Sequence, residues 1–161
     1  MANLAWVVEE LGDIERGREL HEENLRRARA LGNRRLEAYA LAQLGFVARS
    51  EGRLDEAVSM LRQSIRMTHG MEDRLELAIN FGRLAAFLSD QGRWEAAAKL
   101  LAASKSLSEQ LGVTDPWWAQ RRNEETLAAI HAHLDDDEFD RVWDEGGRLT
   151  VDQAVALALE T

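Results

Sequence analysis

The 161-residue chain contains no cysteine and a single proline, Pro116. Without thiols, disulfides, thiol-based catalysis and cysteine-ligated zinc are excluded. Its glycines are scattered mostly one at a time, which argues against disorder, collagen and β-folds built on Pro/Gly-rich turns. No apolar run approaches the roughly 18 residues that span a bilayer, and no secretory signal is evident. We therefore expect a cytoplasmic protein with no membrane partner.

Charge of one sign is in excess, since 29 acidic residues face 20 basic ones and the formal net charge is −9. Such a balance argues against general binding to nucleic acid or to anionic membranes. Apolar residues make up 45% and charged residues 30% of the chain, so it can bury a core and stay soluble. The length suits one domain, or one segment of a longer array.

Glycines recur at a fixed interval along the chain. Gly12, Gly52 and Gly92 are separated by 52 − 12 = 40 and 92 − 52 = 40 residues. A leucine precedes each glycine by eight residues, and a small residue follows each by five. The residues are Leu4, Leu44 and Leu84, then Gly17, Ala57 and Ala97, and a second glycine set follows at Gly32, Gly70 and Gly112. Because glycine suits the left-handed position that ends a helix, the pattern predicts helix, turn and helix three times over.

The apolar residues between these glycines have helical periodicity. They recur at i, i+3, i+4 and i+7 before Gly52, and at i, i+3, i+7 and i+11 after it, so that each set lies on one helical face. Gly45 and Ala57 are small at the point where the two helices of a hairpin would cross. The two sets are Leu41, Leu44, Gly45 and Ala48, then Leu54, Ala57, Leu61 and Ile65.

Residues 41–57, LAQLGFVARSEGRLDEA, resemble the tetratricopeptide repeat: Leu-Gly, a third packing position, then Gly-x-x-x-Glu-Ala. Leu84-Ala85 followed by Gly92 repeats the pattern, with Glu95 one residue early. The period of 40 exceeds the family's usual ~34 residues. The resemblance implies an all-α, right-handed helical-hairpin repeat array. We expect three repeats in residues 1–112 and C-terminal capping helices in residues 113–161.

Three more helices are predicted after the repeats. Thr114-Asp115-Pro116 is a start signal, with proline at the first helical position of a helix that runs to about Leu134. A short helix is expected from Glu138 to Glu145, ended by a glycine pair. Thr150 and Gln153 form a capping box that begins the last helix.

Residues 139–159 resemble the end of the repeat region in large bacterial regulators that join a nucleotide-binding domain to a LuxR-type DNA-binding domain. The resemblance implies a repeat segment of a bacterial signal-dependent transcription regulator. This chain has no Gly-x-x-x-x-Gly-Lys-Ser/Thr phosphate loop, and it stops before a DNA-binding helix pair. A fragment or a truncated relative is therefore expected.

Stacked helical hairpins form an extended concave surface that suits non-catalytic binding of a protein or peptide. By the family resemblance, the groove is lined by the first helix of each repeat. An alternative is that its aromatic residues pack between neighbouring hairpins, because large aromatic side chains are mostly buried. The candidate groove residues are Trp6, Tyr39, Gln43, Phe46, Arg49, Ile79 and Arg83.

Other functional classes find less support in the sequence. No nucleophile–base set can be named, so no enzyme activity and no cofactor are expected. His131 and His133 precede three aspartates, but residues two apart on a helix do not face each other, so no metal site is predicted. Five arginines between residues 26 and 35 are interpreted as a solvated face, offset by Glu22 and Glu23, and not as a nucleic-acid contact.

Two alternatives to peptide binding remain open. The first is self-association, since an array cut from its neighbours exposes an apolar end and would form a homodimer. The second is a small-molecule pocket lined by Trp6, Phe46 and Ile79. Trp117-Trp118 at the start of a predicted capping helix would place one ring in the core and expose the other as an anchor for a partner.

Overall fold

A computed structural model of the chain describes residues 14–161. These residues form helices joined by turns, with no strand among them, which confirms the all-α array of helical hairpins. The expected first helix, with Trp6 and the Gly12 turn, lies outside the described residues. The helices are α1 (Ile14–Ala30), α2 (Arg34–Ser50), α3 (Leu54–Gly70), α4 (Arg74–Asp90), α5 (Trp94–Leu111), α6 (Trp117–His131), α7 (Asp136–Gly147) and α8 (Val151–Glu160).

The described residues divide into two compact units, the first ending at Met71 and the second beginning at Glu72. In the first unit α2 packs against both α1 and α3. Two ion pairs connect opposite ends of this hairpin. Arg29 near the end of α1 meets Glu37 near the start of α2 at 2.8 Å, and Arg18 near the start of α1 meets Glu51, just after α2, at 3.1 Å. The end of α1 thus lies beside the start of α2, as an antiparallel hairpin requires.

The core of the first unit comes from the apolar faces that the periodicity predicts. Leu41 and Leu44 of α2 and Leu61 and Ile65 of α3 are all buried, with at most 6% of their surface exposed. Leu54, expected on the same face of α3, is only half-buried because it stands at the first position of the helix.

The turns use left-handed glycines at most of the expected places. Gly32, Gly52, Gly92 and Gly112 have φ between 62° and 77°, the region that glycine enters without a Cβ penalty. The expectation for Gly70 is wrong, because Gly70 is the last residue of α3. The left-handed position of that turn is occupied by Glu72, with φ 55°.

In the second unit α4 and α5 form a hairpin, and the three later helices cover it. The helix α6 packs against both α4 and α5, whereas α7 and α8 pack mainly on α5. Gly146 of α7 lies directly on the backbone of Lys99 in α5. Its missing side chain is what lets these two helices approach closely.

The predicted helix starts agree with the structure in part. The capping box of α8 is confirmed, since the Thr150 hydroxyl accepts from the Gln153 backbone and the Gln153 side chain accepts from the Thr150 backbone. Pro116 stands one place earlier than predicted, at the N-cap of α6. The helix α6 ends at His131 and not at about Leu134, and α7 spans Asp136–Gly147, so that the glycine pair forms its last turn.

Candidate protein-binding surface

A stripe of half-buried side chains runs along α2. From Ala38 to Ala48 eight of the eleven residues are buried, and the other three are Tyr39, Gln43 and Phe46. Arg49, also half-buried, follows one turn beyond Phe46. We call these four residues the α2 stripe. They are the groove residues that the sequence predicts for this repeat, and each keeps part of its surface accessible to solvent.

The chemistry of the α2 stripe suits contact with another chain. Tyr39 and Phe46 offer rigid aromatic surface, which loses little conformational entropy when it is covered. Gln43 carries both a hydrogen-bond donor and an acceptor. Arg49 adds a planar cation that can hold a carboxylate with two parallel hydrogen bonds. The stripe thus combines apolar, polar and cationic groups on one helix.

Ile79 and Arg83 lie on α4, in the second unit. Ile79 is half-buried, whereas Arg83 is only 4% exposed. The Arg83 Nη1 donates to Oε1 of Glu76 at 2.7 Å and to Oδ1 of Asn80 at 2.8 Å. Arg83 therefore lies inside its unit, and the carboxylate it meets belongs to its own helix. Its contact with a carboxylate of a partner stays a prediction.

The paired tryptophans of α6 differ from the expectation that one of them is core. Trp117 is 66% exposed and Trp118 is 36% exposed. The guanidinium carbons of Arg83 and Arg122 lie 5.6 Å and 5.8 Å from the centre of the Trp118 ring, within the range of cation–π attraction. Two arginines thus cover part of Trp118, and Trp117 remains an open apolar surface.

Side chains outside the predicted groove hold α6 in place. Asp115 accepts from the Ser108 hydroxyl at 3.0 Å and from Asn123 Nδ2 at 3.3 Å, which joins α5 to the start of α6. Gly82 lies beneath this helix, since a Cβ on it would stand 2.9 Å from Asn123 Oδ1. The glycine at position 82 is the feature of the sequence that could have indicated this contact, because a glycine in mid-helix often marks tight packing.

The two histidines near the end of α6 face different aromatic rings. His133 stacks on Trp94 with ring centres 3.8 Å apart, and His131 lies 3.8 Å from the ring of Phe139. Phe139 in turn stacks on Trp143, with ring centres 5.3 Å apart. In residues 14–161 no group of three His, Cys, Asp or Glu side chains is placed to hold a metal ion.

The arginine-rich end of α1 is laced by ion pairs. Glu23 accepts from both Arg26 and Arg27, at 2.7 Å and 2.6 Å. These two hydrogen bonds hold the pKa of Glu23 below its ordinary value. Spacing of four residues favours the pairs Glu22–Arg26 and Glu23–Arg27; the second pair forms, whereas Arg26 pairs with Glu23. Within the described part of the chain, no helix is long and apolar enough to cross a membrane.

Comparison with known families agrees with this architecture. Residues 1–68, 68 of the 161 in the chain, match the family model described as tetratricopeptide repeat. No curated protein and no solved structure matches the chain. The matched segment contains α1, α2 and nearly all of α3, so the α2 stripe belongs to it. The fold is an all-α, tetratricopeptide-like array of helical hairpins, and such repeats generally mediate protein–protein interaction.

Proposed function

We propose that this chain is a non-catalytic module that recognises a protein or peptide through the α2 stripe. The observation that carries the proposal is the burial pattern of α2, in which Tyr39, Gln43 and Phe46 are half-buried whereas the other eight residues from Ala38 to Ala48 are buried. A partner segment laid along these residues covers apolar rings and meets Gln43 and Arg49 with its polar groups. The stripe lies on a helix that is already packed in its unit, so binding costs little conformational entropy of the backbone.

We further propose that the module works inside a bacterial signal-dependent transcription regulator. The support is the resemblance of residues 139–159, which span α7 from Phe139 and α8 up to Leu159. We also propose that it acts in the cytoplasm and contacts protein, not nucleic acid, because the net charge is −9. The natural gene tests the first point: flanking reading frame without a nucleotide-binding and a DNA-binding domain would contradict it.

Peptide selection tests the binding surface. A random peptide library displayed on phage is selected against the full chain, and enriched peptides are titrated against Phe46→Ala and Tyr39→Ala. We expect each variant to weaken binding by at least about tenfold, as truncation of an interface aromatic commonly does. Leu31→Ala is the matched control, because Leu31 is 79% exposed in the turn before α2. Equal binding by folded Phe46→Ala and wild-type chains would rule out the α2 stripe.

A homodimer is the second candidate, and the exposed Trp117 favours it. A ring 66% open to solvent at the start of a helix is a natural anchor for a second copy. Light scattering of the full chain at increasing concentration measures the mass. A dimer that Trp117→Ala dissociates and Leu31→Ala leaves intact supports this candidate, and a monomer at all concentrations removes it.

A further inference from the structure

A cleft opens in the second unit, between α4, α5 and the start of α8. Its volume is about 380 Å³, within the range of pockets that hold small molecules. The apolar residues at its edge are Phe81, Leu107 and Val151; Phe81 and Leu107 are only 1% and 3% exposed, whereas Val151 is half-buried. The α2 stripe is in the first unit, so this cleft is separate from the proposed peptide-binding surface.

The charged residues that line the cleft are all of one sign. They are Arg74, at the first position of α4, and Arg148, just after α7. No carboxylate belongs to the described lining, although the chain as a whole carries a net charge of −9. The N-terminus of α8, capped by Thr150, opens at the same place, and the helix dipole adds partial positive charge there. The cleft therefore favours an anion.

The present contacts of both arginines are easy to exchange for a ligand. Arg148 meets Asp144 at 3.0 Å, but the two side chains are 80% and 67% exposed, so water screens the pair strongly. Arg74 donates to the neutral side chain of Gln110 at 3.4 Å, a long hydrogen bond. A carboxylate in the cleft would gain two guanidinium partners at little cost to the fold.

We propose that this cleft binds a small amphipathic carboxylic acid. The carboxylate is held by Arg74 and Arg148, and a short hydrocarbon part lies against the half-buried Val151. Arginine suits this task because its planar fork matches the two carboxylate oxygens. The two cations select against a cationic ligand and against a neutral lipid.

Calorimetric titration with octanoate, octanamide and octylamine tests the proposal on the full chain. The three probes share their hydrocarbon chain and differ in charge. We expect octanoate to bind more tightly than the other two, and the double variant Arg74→Gln, Arg148→Gln to weaken it by roughly tenfold, as loss of charge-assisted hydrogen bonds should. Arg121→Gln is the matched control, because Arg121 is 75% exposed on α6 and does not line the cleft.

The outcomes separate a site from detergent-like adsorption. Octanamide or octylamine binding as tightly as octanoate overturns the proposal, and so does octanoate binding that the double variant retains. A loss in the Arg121→Gln control equal to that in the double variant also overturns it, since general charge would then explain the result. Thermal melting by circular dichroism verifies that each variant is folded. None of these results bears on peptide binding at the α2 stripe.

Discussion

Gly146 of α7 lies flat on the backbone of Lys99 in α5. A Cβ added at Gly146 would stand 2.6 Å from the Cα and 2.8 Å from the carbonyl carbon of Lys99. Backbone atoms cannot rotate away as a side chain can, so an alanine at this position would force α7 away from α5. We expect Gly146→Ala to lower the free energy of unfolding by about 1–3 kcal/mol, the usual cost of overpacking.

The adjacent glycine provides the control for that substitution. Gly147 lies in the same last turn of α7, has no atom within 4 Å of an added Cβ and does not have positive φ. We expect Gly147→Ala to be neutral or to stabilise by up to about 1 kcal/mol, because alanine favours the helix. Urea unfolding of both variants measures the difference, and equal effects would contradict the close packing of α7 on α5.

Glu72 occupies the left-handed position that four other turns give to glycine. Its φ of 55° is unfavourable for a residue with a Cβ. We expect Glu72→Gly to stabilise the chain by about 0.5–1 kcal/mol, since relief of strain exceeds the entropy that glycine adds to the unfolded state. Gly52→Ala, with φ 77° and open space around the added Cβ, should destabilise by about 1 kcal/mol. Thermal melting checks the opposite signs.

Glu145 connects α7 to α5 through charge. Its carboxylate meets Lys99 Nζ at 2.7 Å and Arg141 Nη1 at 3.1 Å. Hydrogen bonds first from Lys99 and then from Arg141 hold its pKa below the ordinary 4.5. A carboxyl with a lowered folded-state pKa stabilises the fold above its unfolded pKa, and this contribution is lost as the pH falls through the folded value.

Acid titration of melting temperature checks this contact. We expect Glu145→Gln to melt lower than wild type at neutral pH and to lose less stability than wild type between about pH 5 and pH 3. Glu125→Gln is the control, because Glu125 pairs with Arg121 inside α6, at 66% and 75% exposure, and joins no two helices. Parallel pH curves for Glu145→Gln and wild type would contradict the role of Glu145.

Arg83 is the predicted groove residue whose replacement should affect folding before binding. It is 4% exposed and engages Glu76, Asn80 and the Trp118 ring. We expect Arg83→Ala to cost about 2–4 kcal/mol, because a buried, hydrogen-bonded cation is lost. Arg121→Ala, on the exposed side of α6, should change stability by less than about 0.5 kcal/mol. Urea unfolding compares the two, and equal curves would contradict the burial of Arg83.

Much of the fold was predictable because local signals and packing agree. The forty-residue glycine interval predicted the helical hairpins. The apolar faces through Leu41 and Leu61 predicted which sides of α2 and α3 face the core. The left-handed position at Glu72 was not predicted, because glycine was expected there and Gly70 is only two residues away. The packing of α7 on α5 through Gly146 depends on a contact between distant segments, which no local pattern reports.

The candidate surface was predictable to a lesser degree. Tyr39, Gln43 and Phe46 were assigned through the family resemblance, and they are half-buried on a helix whose neighbouring positions are buried. Arg83 was assigned to an open groove because its repeat position equals that of Gln43. Its burial depends on α6, which follows the last regular repeat and brings Trp118 over it. The cleft at Arg74 and Arg148 joins residues 74 positions apart (148 − 74), and the sequence alone offers no reason to pair them.

The narrow opening of α2 also constrains how the molecule can diverge. Eight of the eleven positions from Ala38 to Ala48 are buried, so within this stretch substitutions cost least at Tyr39, Gln43 and Phe46. A change of binding partner would therefore arise mainly through substitutions at those three positions. In related chains, the residue types at these three positions would then group together the proteins that bind the same partner.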